Sequence, residues 1–126
     1  MKRTLLFLFF IAAAGAQAQT AAQKPLHKAT ISGKEGGSIS KSAIVNSKGI
    51  VPPDQTHHIT EFKMTIINRE NDEIEFFNDK SGGLTENMCE ELKGAQSGNK
   101  VIFESIKCVG VDSVVHAVNP MTFVIK

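Results

Sequence analysis

Residues 58–68 read HITEFKMTIIN, and how this stretch folds decides the rest of the chain. Phe62, Met64 and Ile66 alternate with Glu61, Lys63 and Thr65, the period of two expected of a strand with one buried face. Ile59 falls out of phase with Phe62, which predicts a bulge near Thr60 and Glu61. Residues 69–72 (REND) are polar and turn-like. Residues 73–76 (EIEF) return as a second strand with Ile74 and Phe76 on one face.

Outward from this hairpin, turn signals recur roughly every ten residues, the spacing of β-sandwich sequences. Residues 101–108 (VIFESIKC) form a strand in which Phe103 and Ile106 are again three apart, the same phase slip. Residues 114–118 and 121–125 supply two more, split by Asn119-Pro120. Upstream, residues 29–32 (ATIS) form a short strand closed by Gly33, and residues 38–45 (SISKSAIV) a second strand or an irregular edge. One short helix is expected after Thr85, a natural N-cap. Glu86 lies in its first turn, Met88, Cys89 and Leu92 at helical spacing, and Lys93-Gly94 at its end. The expected fold class is an all-β sandwich of six to seven short strands with one short helix.

The first 18 residues carry an address. Lys2 and Arg3 precede ten uncharged apolar residues, 5–14, and Ala16-Gln17-Ala18 supplies small residues for a signal-peptidase cut before Gln19. The run is too short for a stable span, which takes about twenty residues, so no stable membrane insertion is expected. The domain plan is a signal peptide at 1–18, a flexible lead-in at 19–28 and one domain at 29–126. The expected location is periplasmic or secreted, where ATP, nicotinamide cofactors and chromosomal DNA are absent.

Of the 14 Lys and Arg, two lie in the leader, which leaves 12 against 13 acidic residues. Arg69 is the last arginine, and the chain holds no Trp or Tyr. That composition argues against nucleic acid, whose binders pair a basic face with stacking aromatics, and against sugar stacking. No spacing suggests catalysis. Ser38, Ser40 and Ser42 lack a nucleophile elbow, and Gly33, Gly36 and Gly37 lack the lysine of a phosphate loop. His27, His57, His58 and His116 show no metal-ligand spacing, and solvated side chains are the expectation for them. No catalytic residue, cofactor or metal is therefore expected. Cys89 and Cys108 are a disulfide candidate in an exported chain, against a pair of small core fillers.

The motifs Ser32-Gly33-x-x-Gly36-Gly37-x-Ile39-Ser40-Lys41, Gly83-Leu84-Thr85, Gly98-Asn99-Lys100-Val101-x-Phe103-Glu104-x-Ile106-Lys107, Gly110-x-Asp112 and Asn119-Pro120-Met121-Thr122-Phe123-x-Ile125 resemble the C-terminal domain of the gliding-motility protein GldM of Bacteroidota. The likeness covers about residues 29–126. It implies an immunoglobulin-like β-sandwich that makes protein contacts in the periplasm, at the end of a stalk belonging to the gliding and type IX secretion motor. This chain departs from that pattern with Val111 and Ser113 in one turn, and a retained membrane helix or stalk is not expected. The expected function is a non-enzymatic, exported protein-interaction module. Its partner would be another envelope protein of the secretion or motility apparatus, and a homodimer is allowed. The alternative is a secreted small-ligand-binding or protease-inhibitor-like sandwich. Contact candidates are Ile50, Val51, Pro52 and Pro53 in the loop 46–57, and Phe77, since Phe76 and Phe77 on one strand point to opposite faces. Burial of that pair beneath the helix is the favoured alternative.

Overall fold

The antiparallel ladder of β2 (His58–Ile67) and β4 (Lys100–Val109) is the centre of the molecule. It places Met64 opposite Phe103 and Ile66 opposite Val101, so the alternating apolar residues of both strands share one face. The structure, a computed structural model, describes residues 27–126; the expected signal peptide and most of the lead-in lie outside the described residues.

The phase slips in the sequence are two bulges. One interrupts the register between Ile59 and Glu61, where β2 advances two residues against one of β4. The other lies between Glu61 and Lys63, where β4 advances three against two. Ser105 occupies the second at φ 53°, a left-handed conformation that marks an irregular strand position for a non-glycine residue. The bulge turns both Phe103 and Ile106 into the core. Because the slips fall on opposite strands they cancel, and the two strands run the same length.

β3 (Glu73–Asn78) extends the sheet beside β2, with Phe76 opposite Met64 and Ile74 opposite Ile66. On the far side of β4 lie β6 (Met121–Ile125) and, at the end of β4, β5 (Val115–Ala117). β1 (Gly37–Ile39) pairs with β6 in parallel and completes one mixed sheet of six strands, ordered β1-β6-β4-β2-β3 with β5 beside β4.

The apolar face of this sheet is covered by a layer without regular strands. α1 (Lys41–Ser47) contributes Ile44, α2 (Glu86–Lys93) contributes Met88 and Leu92, and the intervening segments contribute Ala29, Ile31 and Ile50. These side chains bury against Met64 and against Phe62, Phe103 and Phe123, where the Phe103 ring lies 6.0 Å from that of Phe62 and 6.1 Å from that of Phe123 between centroids. The expected all-β, sandwich-like class holds, with a second layer made of two short helices and isolated bridges such as Thr30–Val51 and Gly49–Gly83.

Residues 38–45 differ from expectation. Only Gly37–Ile39 is strand, and the chain then turns into α1. The Ser40 hydroxyl accepts the Ala43 N–H at 3.2 Å, and Lys48 at φ 66° closes the helix by donating its N–H to the Val45 carbonyl. A capped end of each kind outweighs the strand-like Ile39–Val45 composition. Residues 29–32 likewise make bridges and no strand. α2 follows its sequence closely: Thr85 Oγ1 accepts from Met88 N. Lys41 of α1 ties the helices together, its Nζ donating to the carbonyls of Lys93 and Ala95 at 2.8 and 2.9 Å. This places a cation at the negative end of the α2 dipole. No helix among the described residues is long and apolar enough to cross a membrane.

Candidate functional site

Pairing brings together three histidines that lie far apart along the chain. His116 of β5 stands opposite Cys108, and Cys108 stands opposite Ile59 of β2. Residues directly opposite share a face, and so do residues two apart on a strand. His57, in the loop just before β2, meets His116 across the end of β4, with 5.7 Å between the ring centroids. His27 reaches the same point from the lead-in, where its carbonyl accepts the Asn119 N–H at 3.0 Å and its residue bridges Val118. The His27 ring stacks on His116 at 4.6 Å between centroids and meets His57 edge-on at 4.9 Å. One nitrogen of each ring lies within 4.8 Å of the others. All three are half-buried, while His58 points away and is exposed. Separate solvation, expected for all four, thus describes His58; the other three form a cluster built by register, which local spacing does not encode.

Two aspartates hold the rings by the same device. Asp54 Oδ1 accepts the backbone N–H and hydroxyl of Thr56 at 2.9 and 2.6 Å and lies 2.7 Å from His57 Nδ1. Asp112 Oδ1 accepts the Val114 N–H at 3.0 Å, and its Oδ2 lies 3.3 Å from His116 Nε2. Each is an Asx turn that opens just before a strand. A carboxylate only accepts, so in the neutral ring it holds the proton on the nitrogen facing it and leaves the opposite nitrogen with a free lone pair. That free atom is Nε2 in His57 and Nδ1 in His116. Gly110 gives the His57 ring its place, because a Cβ there would lie 2.9 Å from Nε2.

The electrostatics match this geometry. The hydrogen bond from His57, followed by those from Thr56, holds the Asp54 carboxyl well below the usual carboxylate range. Asp112 is lowered chiefly by the Val114 N–H, with a smaller part from His116. Burial, and then the Asp54 charge, pushes the Cys108 thiol up. Three imidazoles backed by two ionised carboxylates form a donor set for a borderline divalent cation.

The sequence-selected contact residues are scattered by comparison. Ile50 is 6% exposed and its N–H donates to the Gly82 carbonyl at 2.9 Å, so it belongs to the core and to no contact surface. Val51 is exposed, and Pro52 and Pro53 are half-buried. Phe77 is 68% exposed on the outer face of β3, while Phe76 packs against the core, so strand alternation divides the pair and the helix does not cover both. Cys89, half-buried on α2, and buried Cys108 are not joined in the structure, and Cys108 sits at the histidine end of β4. At the opposite end of the sheet an open groove of about 640 Å³ is lined by Ile66, Arg69, Ile74, Glu91 and Asn99.

No curated protein matches the chain. A family model described as the GldM C-terminal domain matches residues 16–126, which includes every strand and helix above. The turns at Gly98-Asn99, Gly110-x-Asp112 and Asn119-Pro120, which carried the likeness in the sequence, are the ones that set the paths of β4, β5 and β6. This chain belongs to the GldM C-terminal domain family.

Proposed function

We propose that the protein is an exported, non-enzymatic interaction module of the gliding and type IX secretion apparatus, acting in the periplasm or at the cell exterior on another envelope protein. The observation that carries this reading is the family match over residues 16–126. The apolar leader with its small-residue cleavage signal supports export.

The β3 edge supports a protein partner. Among the described residues β3 pairs with β2 alone, so its far side presents unpaired backbone N–H and C=O groups, a template for strand addition. Glu73, Glu75 and Phe77 share its outer face, and Phe77 stands opposite Lys63 of β2, so an exposed phenyl ring with Glu75 and Lys63 beside it offers an apolar anchor with a charged border. A photo-crosslinking residue at position 77, used in cells, should yield an adduct with a secretion or motility component. The same residue at position 48 should not. Phe77→Asp should reduce co-purification of that component at least about tenfold, the scale of an interface anchor. Adducts with hydrolases alone, or none, would refute the assignment.

A further inference from the structure

We infer that His27, His57 and His116 form a binding site for one first-row divalent transition-metal ion, with Zn2+ the best match to the ligand set. Three points on the geometry support it, and none depends on the interaction role proposed above.

The donor atoms already converge. Nitrogens bound to a tetrahedral zinc at ~2.0–2.1 Å stand about 3.3 Å from one another. One nitrogen of each ring lies within 4.8 Å of the others, so ring rotation brings three donors to that spacing. The two orienting carboxylates are in place as well. Asp54 fixes the His57 proton on Nδ1, and Asp112 fixes that of His116 on Nε2. This is the carboxylate–histidine–metal arrangement that sets tautomer and ring orientation in metal sites. Lastly, the charges balance. Three neutral imidazoles contribute none, and the two ionised aspartates behind them offset the +2 of the cation.

Imidazole donors select zinc and its neighbours over Mg2+ and Ca2+, which require oxygen ligands. Three protein ligands leave a fourth position for water. The ion would also fasten the lead-in to the body of the domain. His27 is otherwise held there by its bridge to Val118 and the Asn119 hydrogen bond. His57 and His116 come from the loop before β2 and from β5, so one ion would join three separate segments.

The test is titration calorimetry with ZnCl2 on the full chain, purified without a polyhistidine tag and stripped with EDTA. One Zn2+ should bind per chain. Binding should be lost in His27→Ala and in His116→Ala, and weakened about 10–100-fold in Asp54→Asn, the usual effect of removing a carboxylate behind a ligand. His58→Ala should bind as the parent does, and MgCl2 and CaCl2 should give no heat. Replacement by Co2+ should give the intense visible absorption of four-coordinate cobalt. Far-UV circular dichroism and the urea midpoint in EDTA should match the parent for each variant, which separates lost ligation from lost folding. The thermal midpoint of the parent, and not of His27→Ala, should rise with ZnCl2 and fall back on chelation. Parent-like affinity in folded His27→Ala or His116→Ala would overturn the site. A stoichiometry far below one, or equal response to Mg2+, would overturn it too.

Discussion

The two halves of the β2–β4 ladder were built for different work. From Lys63 to Ile67 the strand pairs with residues 100–104 in one unbroken register, and its inward side chains meet the aromatic centre of the core. Between His58 and Lys63 the pairing slips twice, the partner strand passes through a left-handed Ser105, and three histidines gather beyond its end. The regular half maximises side-chain packing. The bulged half re-aims side chains instead, a common use of bulges next to functional sites. Their slips cancel, so a strained end is attached to a sheet that closes normally.

The comparison breaks most severely at Phe103. Its ring is fully buried between Phe62 and Phe123, opposite Met64. Phe103→Ala should lower the unfolding free energy by about 3–5 kcal/mol, seen as a reduced urea midpoint with an unchanged slope. A loss below about 1 kcal/mol would mean that the regular half does not carry the core.

An intermediate effect belongs to the bulged half. Gly82 passes so close to Ile59 that a Cβ there would lie 2.7 Å from the Ile59 Cβ and 3.1 Å from both its γ carbons. No left-handed backbone is involved at this position, so Gly82→Ala is a test of crowding alone, expected to cost about 1–3 kcal/mol. Cys108, paired with Ile59, provides a local readout. In the parent, half-buried Cys89 should react with a maleimide well before buried Cys108. In Gly82→Ala the Cys108 rate should rise with the loosening of that half. If Cys89 and Cys108 prove unreactive in denaturant until reduced, they are bridged in the exported protein.

The same division explains what could be read in advance. Alternation around Phe62, Met64 and Ile66 announced β2, and the offset of Ile59 announced its bulge, because strand periodicity is a local signal. Thr85 and Gly94 bounded α2 for the same reason. α1 was hidden because Ile39, Ala43, Ile44 and Val45 suit a strand as well as a helix; the Ser40 cap and the left-handed Lys48 decide it. The histidine cluster was hidden more deeply. Its members at 27, 57 and 116 share no motif, and only the pairing of Ile59 with Cys108 and Cys108 with His116 brings them to one side. A usable trace existed in Asp54-x-x-His57 and Asp112-x-x-x-His116, each an aspartate-led turn running into a strand that joins β4. Ile50 misled for a simple reason: a loop residue next to Pro-Pro can still point inward, and this one does.

The smallest effect sharpens the contrast on the outer face of the sheet. Each half has one lysine ion-paired across the ladder. Lys63 lies 3.6 Å from Glu75 and 3.5 Å from Glu104, with its side chain 22% exposed, whereas Lys107 lies 3.8 Å from Glu61 alone and is 51% exposed. A cation between two carboxylates, partly shielded by neighbours, is screened less than one in open water. Lys63→Met keeps most of the alkyl stem and removes the charge, leaving Glu75 and Glu104 facing across β2 without a cation between them. The expected loss is about 0.5–1 kcal/mol in dilute buffer, the upper part of the range for surface pairs, and Lys107→Met should cost less. Raising the ionic strength should shrink the Lys63 loss, since it contains both the lost attraction and the exposed repulsion. Equal losses at the two sites, independent of salt, would mean that the regular half gains its stability entirely from its inner face.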